Sequence, residues 1–291
     1  PGVVSSAKVV EKLVPPSRAG DEGVFQQLFR SKSRTFSLAS FLLPKERAEA
    51  IFRLYYVCRT LDDWADEGQE SKLRDAMACW TEHKPHPLLD HYRFLQARWG
   101  LASLPMTELM AAMIQEQNGV AMKTESELLA YCHGVAGTIG LMTCPIFGVT
   151  DKKALKHADD LGIAMQLTNI CRDVFEDAKN GRIYLPAEYF ESPPSPSDIL
   201  QNNSNTDLNE ITSIKNRILM EADRRYTSGE QGIRYLPWRM RIVVRWAGRM
   251  YREIGEVIQD NPDLYHDKRA VVGGLKKLGI LIPCLTKSIF N

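Results

Sequence analysis

Residues 161–186 read LGIAMQLTNICRDVFEDAKNGRIYLP. The stretch holds no proline before Pro186, and Gly181 stands where a helix would stop, so the pattern predicts a helix closing at that glycine. Gln166, Asn169, Asp173 and Asp177 are spaced three, four and four apart. Those intervals stack them on one helical face, about 6 Å from turn to turn. Leu155, Ala158, Gly162 and Met165 fall on or beside the same stripe. The carboxylates therefore extend an inward-facing stripe, and buried carboxylates are costly unless paired or bound to metal. Two readings fit: a functional acidic face, or a helix end laced by ordinary salt bridges to Arg172 and Lys179.

A second stretch has the same character. A helix over 45–67 carries Ile51, Tyr55, Cys58, Leu61, Asp62 and Ala65 on one stripe, with Asp66 four residues after Asp62. Asp63 points about 100° away from Asp62 around the helix. Asp62, Asp63, Asp66 and Glu67 crowd the C-terminal end, where the helix dipole disfavours negative charge. Such a cluster is better explained if cations neutralise it. Carboxylates and an asparagine, without histidine or cysteine, suit Mg²⁺ or Mn²⁺ in preference to zinc. Arg59 and Arg172, each three residues from a candidate ligand, offer guanidinium forks for diphosphate oxygens.

The rest of the chain constrains the class. Its 291 residues can bury a sizeable core, and a net charge of +1 gives no global field for nucleic acid. Six cysteines without a CxxC pair read as reduced, buried thiols of a cytoplasmic protein. No apolar run approaches the ~20 residues of a membrane span. The chain begins Pro-Gly instead of Met, so an organellar location after removal of a targeting peptide is also compatible. Residues 1–20 lack periodicity and are expected to form a flexible arm, with one all-α domain over 21–291. Pro105, Gly119, Pro145, Pro186 and Pro237 are expected between helices. His83–Pro87 and Glu191–Asn209 are expected as loops. The Gly134-Val-Ala-Gly-Thr-Ile-Gly140 run is not a nucleotide cradle, because no strand precedes it. Nine arginines over 215–252 are interleaved with Glu221, Asp223 and Glu230, which predicts a solvated face and no nucleic-acid surface. The apolar tail over 271–290 is a candidate for peripheral membrane contact.

Together the motifs resemble the phytoene synthase and squalene/dehydrosqualene synthase family. The resemblance is carried by Asp62-Asp-Trp-Ala-Asp66, by Tyr131-Cys-His-Gly-Val-Ala-Gly-Thr-Ile-Gly140, and by the run from Gln166 to Asp177 with Gly181-Arg-Ile-Tyr-Leu-Pro186. Ser33-Arg-Thr-Phe36, Tyr251-Arg-Glu-Ile254 and Lys268-Arg269 match its flanking elements. The family implies an all-α isoprenoid synthase fold with a central cavity. It implies Mg²⁺-dependent head-to-head joining of two prenyl diphosphates. By motif, Asp62, Asp66, Asn169, Asp173 and Asp177 would bind metal, and Arg34, Arg59, Arg172 and Arg269 diphosphate. Tyr131, Gln166 and Tyr251 would lie near the reacting carbons. Asp63 is a further metal candidate. So is Glu116, where members commonly carry Asp. Ser40, Ile51, Phe52, Tyr55, Val135, Ala136, Ile139, Leu141, Leu161 and Met165 are expected to wall the cavity. The expected reaction is phytoene formation from two geranylgeranyl diphosphates. The alternatives are a farnesyl-using dehydrosqualene or squalene synthase, the latter needing NADPH, and a non-catalytic scaffold of the same family.

Overall fold

The computed structural model describes residues 43–201 and 208–261. Within them the chain is helical, and the only β pairing is an isolated bridge between Ala121 and Ile183. The long helices are α1 (Lys45–Asp66), α2 (Glu70–Thr81), α3 (Pro87–Trp99) and α4 (Leu104–Glu116). Then come α5 (Glu125–Cys132), a π-helical turn (His133–Gly137), α6 (Thr138–Ile146) and α7 (Lys152–Lys179). A short α8 (Pro196–Gln201) precedes α9 (Leu208–Gly232) and α10 (Trp238–Asp260).

Local signals account for the ends. Pro44 caps α1, and Pro87 stands in the first turn of α3 behind the His86 cap. Asp151 caps α7 by accepting the Lys153 amide at 2.8 Å. At its other end Gly181 takes φ +74, with no neighbour near its Cβ position. Glycine is needed there for the left-handed turn, not for space. The Arg182 amide closes on the Asp177 carbonyl at 2.9 Å, and the chain turns back across the end of α7.

Three expectations are corrected. Pro105 is the second residue of α4, where the missing amide costs little, and Pro145 lies inside α6, one residue before its last, where it offers no amide to the Leu141 carbonyl and the helix stops. The stretch 191–209 contains α8, anchored by the fully buried Ile199. The continuous helical run Glu125–Ile146 is long and apolar enough, by length and composition, to cross a membrane. It is wedged instead between α4 and α7, and it carries His133 bonded to Asp159 at 2.6 Å.

Two buried clusters flank a central space. One joins α1–α4 and α6 around Leu61, Leu73, Tyr92 and Met110. The other joins α5, α7 and α9 around Leu167, Cys171, Ile218 and Tyr226. α7 meets the π turn and α6 at backbone contact. A Cβ on Gly162 would lie 2.4 Å from the Ala136 carbonyl oxygen, and one on Gly140 2.4 Å from that of Ala158. The basic face over 215–252 is an ion-pair seam, with Arg252–Asp223 at 2.5 Å and Arg245–Glu230 at 2.9 Å. The five described cysteines are free thiols, and burial pushes Cys58, Cys144 and Cys171 up to about 12.

Candidate active site

A cavity of about 690 Å³ runs between the two clusters. α7 lines it from Ala154 to Asp177, and α1 from Ile51 to Asp66. The two acidic stripes open on the same end of it. Asp62 and Asp66 face Asn169, Asp173 and Asp177 across this mouth.

The acids are held by arginines. Arg59 donates to Asp62 at 2.7 Å and to Asp63 at 2.6 Å. Asp63 does not line the cavity, as its 100° offset requires. Arg172 grips the adjacent Asp173 with two bonds, of 2.8 and 2.5 Å. Arg182 spans Asp66 at 3.3 Å and Glu116 at 3.0 Å. Arg182 belongs to a quoted motif yet was given no role by sequence reasoning; its position one residue after the Gly181 turn was the signal.

Charge is crowded here. Burial first, then Asp173 and Glu116, raises the Asp177 carboxyl to about 7, against Arg182 and Arg172. Burial raises Asp62 to about 6, with Asp66, Glu116 and Asp63 adding to it and Arg59 opposing. Asn169 donates to Gln166 at 3.3 Å, while its buried Oδ1 has no hydrogen-bond partner among the described residues. A buried acceptor without a donor is costly unless something fills the role. Among the described residues no three His, Cys, Asp or Glu side chains already converge as a metal site. The donor set nevertheless fits a hard divalent cation: it is all oxygen, has surplus negative charge, and contains an orphaned amide oxygen.

Glu116 is almost buried, with 8% of its side chain exposed. Its carboxylate accepts from Tyr184 at 2.6 Å and from Tyr131 at 3.2 Å, besides the Arg182 pair. The two tyrosine rings stack with centroids 4.9 Å apart. Burial, then Glu116, pushes the Tyr131 hydroxyl well above its ordinary range, so it acts as a donor. Tyr184 also lines the cavity and escaped sequence reasoning as an individual residue. Tyr251 and Gln166 reach the cavity as expected.

The apolar walls include Ile51, Tyr55, Val135, Ala136, Ile139, Leu161 and Met165. Phe52 does not: one residue past Ile51, it is turned by about 100° and buries against Ala48 and Tyr56. Leu141 is likewise off the lining. The π turn places Val135 and Ala136 on the cavity side, as π turns at functional sites commonly do. Arg34, Ser40, Arg269, the arm over 1–20 and the tail over 271–290 lie outside the described residues.

Comparison with known proteins agrees with this architecture. A model of the squalene/phytoene synthase family matches residues 29–276. Phytoene synthase 1, chloroplastic, of Zea mays is 32% identical over 87% of this chain and 67% of its own length. The phytoene synthase of Cereibacter sphaeroides is 32% identical over 84% of this chain and 73% of its own. A dehydrosqualene synthase crystal structure superposes with a TM-score of 0.79, at 21% identity, over 97% of this chain and 99% of that one. A squalene synthase from Alicyclobacillus acidocaldarius gives 0.69 at 23% identity over 89% of this chain and 100% of that one. With its helices in the terpenoid synthase arrangement and the family match spanning most of its length, this chain belongs to the squalene/phytoene synthase family of prenyltransferases.

Proposed function

We propose that the chain joins two geranylgeranyl diphosphates head to head, through a cyclopropyl diphosphate, to give phytoene. The observation carrying this reading is the acidic mouth of Asp62, Asp66, Asn169, Asp173 and Asp177 above a deep apolar cavity. Relatives named phytoene synthase support the C20 substrate.

Asp62, Asp66, Asn169, Asp173 and Asp177 would hold Mg²⁺, or Mn²⁺ in its place, which would neutralise charge developing on a departing diphosphate. Arg59 and Arg172 now satisfy their own wall's carboxylates. Diphosphate oxygens would take over those forks, where charge-assisted bonds are strongest. Apolar walls keep water from the allylic cation while the second double bond attacks it. Burying a methylene contributes about 0.8 kcal/mol, so each chain is held mainly by its length. Tyr131, Gln166 and Tyr251 orient the reacting ends, and the departed diphosphate accepts the final proton. Glu116, already shared by two tyrosines and Arg182, shapes the mouth more than it binds metal.

Incubating the protein with Mg²⁺ and geranylgeranyl diphosphate, then identifying the hydrocarbon, tests this. A C40 product is expected, and its absence overturns the reading. The fold match to dehydrosqualene synthase favours a second reading, in which farnesyl diphosphate alone gives a C30 product. A family member acting only as scaffold would keep its cellular role after Asp173→Ala. Peripheral membrane contact by the tail over 271–290 belongs to the same proposal. Liposome flotation with and without the tail checks it, and unchanged flotation removes it.

A further inference from the structure

The part of α7 lining the cavity farthest from the acidic mouth carries a polar residue, His157, with Ala154 one turn beyond it. His157 lines the cavity on α7, about two and a half turns from Gln166 towards the N-terminus. Tyr235 and Ala154 line the same end, with Phe147 and Val149.

Three constraints fix the His157 ring. Its Nδ1 lies 2.8 Å from Ser228 Oγ. Ser228 gives its single hydroxyl hydrogen to Asp160 at 2.6 Å, so Nδ1 is the donor to the serine oxygen. Asp160 is itself buried and held by Lys156 at 2.8 Å and Arg225 at 2.7 Å. The ring also lies nearly parallel to Tyr235, at 26° with centroids 6.2 Å apart. Behind it Gly232 approaches so closely that a Cβ there would lie 2.4 Å from His157 Cβ. An imidazole pinned from three sides yields less than a free aliphatic side chain would.

Depth can be read along α7. At about 1.5 Å per residue, His157 lies about 18 Å below Asn169, and Leu161 about 12 Å below it. A hydrocarbon zigzag advances about 1.25 Å per bond, so a geranylgeranyl backbone spans about 19 Å and a farnesyl backbone about 14 Å. A farnesyl chain starting at the Asn169 level stops between Leu161 and His157. A geranylgeranyl chain ends against the imidazole.

We infer that His157, backed by Tyr235 and fixed by the Ser228–Asp160 network, is the floor that sets the upper chain length this cavity accepts. The inference rests on the prenyl condensation reading. It assigns the C20 ceiling to one side chain.

The test measures kcat/KM of the full chain with Mg²⁺ and C15, C20 or C25 prenyl diphosphates. The variants are His157→Ala and Tyr235→Ala, with thermal melts as folding controls. The C25-to-C20 ratio is expected to rise at least about tenfold in His157→Ala, the scale of one or two methylenes in an apolar pocket. Tyr235→Ala opens the same floor without touching the Ser228 bond, and its ratio should rise in the same direction. It decides the matter if His157→Ala does not fold. Ratios within about twofold of wild type in the folded variants overturn the floor. A wild type inert with all three substrates overturns the condensation reading, and the floor with it.

Discussion

The acidic ends of α1 and α7 carry the same kind of side chain and treat it differently. On α1, Asp62 and Asp66 keep 44% and 53% of their side chains exposed. On α7, Asp173 keeps 18%, and Asp177 is buried enough for its carboxyl to rise to about 7. Asp66 spreads its charge into solvent and onto Arg182, whereas burial still raises Asp62 to about 6, short of the rise at Asp177. The α7 acids sit in a low-dielectric wall, and without a counter-charge they are costly. Asn169 repeats the contrast, since its buried Oδ1 waits on the same wall. A site of this kind has one preorganised side and one accommodating side.

The comparison can be broken at several strengths. Asp173→Ala is expected to lower kcat/KM by about 10³ and Asp66→Ala by about 10², measured at saturating Mg²⁺ with geranylgeranyl diphosphate. Equal losses would show that the walls are equivalent. Gly162→Ala next drives a methyl into the Ala136 carbonyl and should destabilise the fold by about 1–3 kcal/mol in denaturant unfolding. An unchanged midpoint would show that α7 is not held against the π turn as described.

The pH dependence follows from the raised carboxyls. Asp177 at about 7 and Asp62 at about 6 bind protons more tightly folded than unfolded. Their contribution is fully present below the ordinary carboxylate range and lost as pH rises through 6 to 7. Asp62, nearly half exposed, contributes less. The melting temperature of metal-free protein should therefore fall between pH 5 and about 8, and Asp177→Asn should flatten that fall. A melting temperature that rises over this window would overturn the assignment. The smallest effect is at Asp63, which points away from the mouth and pairs with Arg59. Asp63→Asn should stay within about fivefold of wild-type turnover.

Much of this was legible because helical spacing is rigid. The intervals among Gln166, Asn169, Asp173 and Asp177 place them on one face in any α-helix, with Met165 beside the same stripe, whereas the walls Val135, Ala136 and Leu161 came from the resemblance to the family. Phe52 was misread because a single residue step turns a side chain by about 100°, and spacing alone did not say which side of Ile51 was inward. Arg182 and Tyr184 were missed as individuals because they lie past the helix. There φ at Gly181, and not periodicity, decides where the chain goes.

The sequence by itself determined the helices, their acidic faces and the family, since these depend on local spacing and motif order. Only the tertiary structure decided which acid is buried, which arginine holds which carboxylate, and that Glu116 is shared by two tyrosines and Arg182. It also decided that His157 lines the cavity away from the acidic mouth, bonded to Ser228. Those facts depend on contacts between residues far apart in the chain, such as Arg182 with Asp66 and His157 with Ser228, and no local pattern encodes the distance between them.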